Sequence, residues 1–200
     1  MRVGPTLDAL LKEYPKDVRL VYKMHPLPIH ANAMIAAQGA LAAQAQGKFL
    51  EMHRKLYESS NALSRDKVLE IAKGLGLDMA RFTKDLDSEA VKVRIDRETK
   101  EAMDIGATGT PAAFVNGRYV NGAKPLEFFK TLVDEELKWA KDKNRPKFTI
   151  GKNVSDALPP QARAQSGPDP SKVYDLPVGN APVIGAKNAK VTILHYMDYQ

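Results

Sequence analysis

The 200-residue sequence contains no cysteine. That excludes disulfides, thiolate metal sites and any cysteine nucleophile, and it leaves the redox compartment open. An excess of charge of one sign is also lacking. Thirty Lys and Arg against 24 Asp and Glu leave a net charge of +6. The basic residues are interleaved with acids, as in Lys92, Arg94, Asp96, Arg97, Glu98, Lys100 and Glu101, which reads as a mixed solvated surface. A nucleic-acid partner calls for a one-sided basic face with stacking aromatics, and none is visible. No apolar run approaches the roughly 20 residues of a spanning helix, so no membrane partner is expected. Met1 to Asp8 lacks the apolar stretch of a signal peptide. No phosphate-cradling glycine motif follows a strand. His25, His30 and His53 lie in unrelated segments without an i, i+4 partner or a carboxylate cluster, so neither metal nor cofactor is expected.

What remains is a globular composition, 44% apolar and 27% charged, of a length that can bury a core. Leu7, Leu10, Leu11 and Tyr14 share a helical face behind Pro5, and Pro15 stops that helix. Val18 to Met24 is β-branched and aromatic and reads as a buried strand ended by His25-Pro26-Leu27-Pro28. Residues 30 to 105 then read as helices only. The first runs from about Asn32 to Gln46, and the second carries Phe49, Met52, Leu56 and Tyr57. The later ones are capped by Ser64, Asp78 and Ser88, the last with Val91, Ile95, Ala102 and Met103 inward. Ala112 to Val115 and Tyr119-Val120 flank Asn116-Gly117, a hairpin signal. Pro125 opens a last helix with Leu126, Phe129, Leu132, Val133 and Leu137 inward.

From Lys143 to Lys172 the chain is Pro-rich and reads as a linker, with a short helical piece near Val154 to Leu158. Two strand candidates follow, Val173 to Leu176 and Val191 to Met197; the second is a nearly unbroken apolar run. Met24, Met34, Met52, Met79, Met103 and Met197 are expected to fill gaps in the core.

The chain resembles the DsbA-like thioredoxin-fold family, with its elements in a rotated order. Lys190 to Gln200 is similar to the family's second strand, which runs into C-P-x-C. Arg2 to Pro15 is similar to the helix that follows that motif. Val18 to Pro28 resembles the third strand and its exit, and the helical block sits where the family inserts a helical subdomain. Gly109-Thr110-Pro111 before Phe114-Val115-Asn116-Gly117 resembles the Thr–cis-Pro loop and terminal hairpin. Val173 to Ala189 resembles the opening segment. The fold class implied is α/β: a thioredoxin fold with an inserted helical subdomain, circularly permuted at the active site. A slice between two tandem domains explains the same order. Residues 1–142 would hold most of that domain, 143–172 the linker, and 173–200 the permuted strands.

The resemblance implies a thiol–disulfide oxidoreductase scaffold of exported, periplasmic origin. Exchange needs sulfur, so this chain is expected to be redox-inactive as it stands. The alternative is a non-catalytic peptide-binding or structural thioredoxin-fold module. No catalytic residue is assigned. Gly109, Thr110 and Pro111 are the expected remnant of the substrate loop, meeting an extended peptide by strand addition. Tyr199, Gln200, Arg2 and Val3 would flank the missing motif. His195 stands where the family commonly has an acid; it is either a buried site residue whose neutral imidazole accepts a proton or, as expected in the absence of a thiol, a hydrogen-bonded core histidine. Asp198 either contacts backbone near that motif or is solvated. The linker predicts a monomer in dilute solution with a minor domain-swapped dimer.

Overall fold

The computed structural model describes residues 3–141 and 167–200. Arg2 and most of the Pro-rich stretch, including 154–158, lie outside the described residues. The described chain forms two compact units. One is drawn from 1–23 and 104–196, the other from 24–103 and 197–200.

The first unit carries a five-stranded sheet. Helix α1 (Gly4–Glu13) has Pro near its start, where a missing N–H costs nothing, and buries Leu7 and Leu10. Strand β1 (Val18–Met24) follows. Strands β2 (Ala112–Val115) and β3 (Arg118–Asn121) form the hairpin, helix α7 spans Leu126–Lys141, and β4 (Val183–Gly185) and β5 (Val191–Met197) end the chain. The sheet order is β3-β2-β5-β1-β4. Strand β5, last in sequence, therefore lies between β1 and β2. It runs parallel to β1: Val191 N–H donates to Asp17 O and His25 N–H to Met197 O, both at 2.9 Å, so the two strands advance together. Both strands bury every residue but their second, which is why each reads as a continuous apolar run.

Asn116 (φ 45°) and Gly117 (φ 86°) make the hairpin turn, with Val115 opposite Arg118. Two positive φ angles in succession suit Asn-Gly. A Cβ at Gly117 would also strike the carbonyl oxygen of Tyr174. Asn116 Oδ1 accepts from Thr192 N–H at 2.8 Å while its Nδ2 donates to Glu136 at 2.9 Å, tying the turn to β5 and α7.

The strand expected at Val173 to Leu176 is not one. Val173 makes a single bridge to Arg118, and Tyr174 N–H donates to Gly117 O at 2.9 Å. The partner strand turns away at Gly117, so the ladder has nowhere to continue. The sheet takes Val183–Gly185 instead, paired antiparallel to β1. The described end of the linker stretch, from Gly167, is structured: Asp169 N–H donates to the Tyr174 hydroxyl at 2.8 Å, and Pro168 is buried.

The second unit is helical: α2 (Ala33–Gln44), α3 (Phe49–Glu58), α4 (Arg65–Gly74), α5 (Met79–Leu86) and α6 (Glu89–Asp104), whose last residue falls outside the unit. Ser64 and Asp78 cap α4 and α5, accepting from Lys67 N–H at 3.1 Å and Arg81 N–H at 3.0 Å. Ser88 accepts from Val91 N–H at 3.3 Å at the head of α6. Helix α2 is central, buried from Ala36 through Ala43. Its small residues admit close neighbours, and a Cβ at Gly39 would come within 2.6 Å of Val68 Cγ1. Three of the six methionines assigned to the core are not in it, Met79 being only half-buried. Met34 is 39% and Met103 51% exposed, because α2 and α6 turn these positions outward, whereas Met24, Met52 and Met197 are buried. In α6 the inward positions are Ile95, Glu98 and Ala102.

Candidate functional site

In the sheet unit, Gly109, Thr110 and Pro111 form the loop that enters β2. The Thr110–Pro111 peptide is cis, and Pro111 O accepts from Gly122 N–H at 3.1 Å. The backbone groups of Gly109 and Thr110 make no hydrogen bond among the described residues. Gly109 is exposed, with nothing within 4 Å of where its Cβ would be. The loop is thus a short stretch of open main chain held at its proline end.

His195 is brought close to this loop by pairing: it stands opposite Ala113, and Tyr196 opposite Ala112. Its ring is 2% exposed and meets Tyr22 edge-on, with centroids 6.0 Å apart. The expected hydrogen bond is missing, since neither ring nitrogen has a partner. The neighbours across the ladder are alanine and a tyrosine ring edge, which offer no acceptor at the imidazole. Burial pushes its pKa down to about 4, so the ring is neutral near pH 7. Val3 is also in this unit, buried, its carbonyl accepting from Leu7 N–H at 3.0 Å at the head of α1.

Tyr199 and Gln200 belong to the helical unit, together with Asp198. Asp198 is buried and engaged with both backbone and side chain. Its Oδ2 accepts from Leu27 N–H at 2.7 Å and from His30 Nδ1 at 2.8 Å. A carboxylate only accepts, so His30 carries its hydrogen on Nδ1. Tyr57 donates its hydroxyl to Asp198 O at 2.7 Å. The Tyr199 hydroxyl lies 3.2 Å from His53 Nδ1, and its ring packs on Tyr57 with centroids 4.7 Å apart. Asn32 N–H donates to Gln200 Oε1 at 2.7 Å. His30, His53 and Tyr57 were not singled out for this role by sequence. They lie more than 140 residues from their partners, and no local spacing signals the meeting.

Among the described residues no group of three or more His, Cys, Asp or Glu could hold a metal ion, and no helix is long and apolar enough to cross a membrane.

Comparison with known proteins places these features in a family. The family model described as DSBA-like thioredoxin domain matches residues 5–134. A Na(+)/H(+) antiporter NhaA of Herminiimonas arsenicoxydans is 38% identical over 116 residues, covering 58% of this chain and 18% of that protein. The Na(+)/H(+) antiporter NhaA 1 of Salinispora arenicola is 35% identical over 130 residues, covering 64% of this chain and 20% of the relative. The chain thus spans about a fifth of the length of these curated relatives, and antiport is an activity of the whole relatives. A crystal structure of a thioredoxin-like oxidoreductase from Silicibacter pomeroyi DSS-3 aligns with a TM-score of 0.51 at 23% identity, covering 62% of this chain and 89% of that one. The match supports the fold, a thioredoxin-type sheet with helices. With the matched region spanning α1 through most of α7, the chain belongs to the DSBA-like thioredoxin domain family.

Proposed function

We propose that these 200 residues are a DsbA-like scaffold that performs no thiol–disulfide exchange and offers the Gly109-Thr110-Pro111 loop to an extended polypeptide. The observation that carries this reading is the open main chain of Gly109 and Thr110, with donors and acceptors unused beside a buried strand. Unpaired backbone at a fixed position pairs with another chain by strand addition, which tolerates many sequences. Exchange proceeds through a mixed disulfide and needs a thiolate; the chain has none. Insulin reduction and oxidation of a reduced peptide should both give no turnover above background. An unstructured peptide should shift the amide resonances of 108–113 selectively. Turnover by chain free of contaminating oxidoreductase, or peptide shifts confined to other segments, overturns the proposal.

The order of elements supports a permuted domain, with β4 and β5 standing for the family's first two strands. A stretch spanning two successive domains is the other source of this order, and the parent coding sequence distinguishes them. The second functional reading is a peptide-binding or structural module with no redox lineage. Insertion of C-P-x-C between Gln200 and Arg2 separates the two: regained disulfide exchange supports the oxidoreductase lineage. Light scattering from micromolar to near-millimolar protein tests the proposed monomer with a minor swapped dimer.

A further inference from the structure

The sequence holds two Asn-Gly pairs, Asn116-Gly117 and Asn121-Gly122, at the two ends of β3. Glycine has no Cβ to shield its amide nitrogen, so each pair is open to the same reaction, attack of the glycine nitrogen on the asparagine side-chain carbon. The fold treats the two differently. The Asn116 amide is engaged on both sides: Oδ1 accepts from Thr192 N–H at 2.8 Å, while Nδ2 donates to Glu136 at 2.9 Å and to Lys190 O at 3.2 Å. Gly117 is buried. Asn121 is exposed, its Nδ2 makes no hydrogen bond among the described residues, and nothing lies within 4 Å of where a Cβ on Gly122 would be. Asn121 Oδ1 accepts from the Tyr119 hydroxyl at 3.1 Å, two residues earlier on the same face of the strand. Burial raises the pKa of Tyr119 above the ordinary tyrosine value, so its hydroxyl remains a donor in mildly alkaline solution.

We propose that Asn121-Gly122 is a site of spontaneous covalent modification, and that the modification removes the anchor of the Gly109-Thr110-Pro111 loop. The Gly122 nitrogen, its proton taken by hydroxide, forms a bond to Asn121 Cγ. The Cγ–Nδ2 bond breaks, and the nitrogen leaves as ammonia with a proton from water, which returns the hydroxide. Water then opens the cyclic imide at either carbonyl, giving aspartate or isoaspartate. Negative charge develops on Oδ1 during the attack, where the Tyr119 hydroxyl already donates. Gly122 N–H donates to Pro111 O at 3.1 Å; this one bond, just beyond the end of β3, opens first. The imide nitrogen carries no hydrogen, so Pro111 O loses its donor when the ring closes. Isoaspartate restores the N–H but adds a methylene to the main chain, which shifts the donor out of the register in which Asn121 faces Ala112. Both effects follow from the bond at Gly122 and do not depend on what the loop binds.

The test is to hold the full chain in mildly alkaline buffer, folded and in urea, and follow both asparagines by peptide mass mapping. Cleavage after Arg118 puts them in separate peptides. In the folded chain aspartate and isoaspartate should accumulate at 121 at least about tenfold faster than at 116, because the fold sets the geometry of attack. In urea the two rates should converge. Equal or faster conversion at 116 in the folded chain overturns the proposal, and so does an unchanged ratio in urea, which would assign the difference to neighbouring residues rather than to the fold. Tyr119→Phe keeps the ring and removes the donor; it should slow conversion at 121 several-fold and leave 116 as it was, and an unchanged rate refutes the role given to the hydroxyl. Hydrogen exchange then reads the anchor. The Gly122 amide should stay protected in Asn121→Asp, which keeps the ordinary main chain, and lose protection in the purified isoaspartate form. Equal protection in both would show that the modification leaves the loop anchored.

Discussion

His195 and Tyr22 meet edge to face inside the sheet, their ring centroids 6.0 Å apart, and the imidazole has no hydrogen-bond partner. The ring is held neutral by burial, which lowers its pKa from the ordinary histidine value of 6.5 to about 4. As pH falls below about 6.5 the unfolded chain takes up a proton at this site while the folded chain does not. The stability this neutral ring confers is therefore fully present above that pH. It is lost progressively down to about pH 4, and it changes no further below it. The gap corresponds to about 3 kcal/mol. Urea unfolding across this range should show the loss in the wild-type chain and a smaller one in His195→Leu. Identical pH profiles for the two would show that the ring does not titrate as its burial implies.

Much of the fold was legible because its signals are local. Ser64, Asp78 and Ser88 cap helices as their spacing implies, Asn116-Gly117 turns the hairpin, and two apolar runs become the central strands. Strand β4 escaped notice because it is three residues long, with Val183 45% exposed, so it shows neither an apolar run nor alternation. Glu98 sits in a run of mixed charge that reads as a solvated face, yet it is 1% exposed. The Asp198–His30 contact joins residues 168 apart, and nothing in the local pattern of either segment records it.

The hairpin turn is tested at Gly117. Its φ of 86° disfavours any Cβ, and the added carbon would also meet the Tyr174 carbonyl oxygen. Gly117→Ala should cost more than the roughly 1 kcal/mol of left-handed strain alone, and should loosen the Tyr174 amide, which bonds Gly117 O. Equal exchange at that amide in both chains would show that the turn yields without moving its neighbour.

Helix α2 is tested at Gly39. The added methyl of Gly39→Ala falls 2.6 Å from Val68 Cγ1 and 3.1 Å from Met52 Cε. Met52 is flexible and gives way, but Val68 is β-branched and fully buried on α4. The better helix propensity of alanine, about 1 kcal/mol, is offset by an overpacking cost of about 1–3 kcal/mol. The net expectation is a loss in chemical denaturation. Restoring stability by adding Val68→Ala would locate the clash, and a stabilised single variant would contradict it.

The last test concerns Glu98, which joins α6 to the end of β1 within the helical unit. Its Oε2 accepts from Met24 N–H at 2.7 Å and its Oε1 from Arg94 Nε at 3.0 Å, while Arg94 Nη1 donates to Gln44 at 2.9 Å. Arg94 is 13% exposed and its Nη2 already lacks a partner. Removing the carboxylate leaves a guanidinium poorly hydrated and a buried backbone N–H unpaired. Breaking a buried pair from one side costs about 3–5 kcal/mol. Glu98→Ala should approach that loss in urea unfolding. Glu98→Gln keeps the acceptor for Met24 and should lose less. Arg94→Met combined with Glu98→Gln should recover part of the difference, because the unpaired charge is then gone. Additive losses in the double variant would mean that the two side chains are not coupled and that Glu98 acts through the Met24 amide alone.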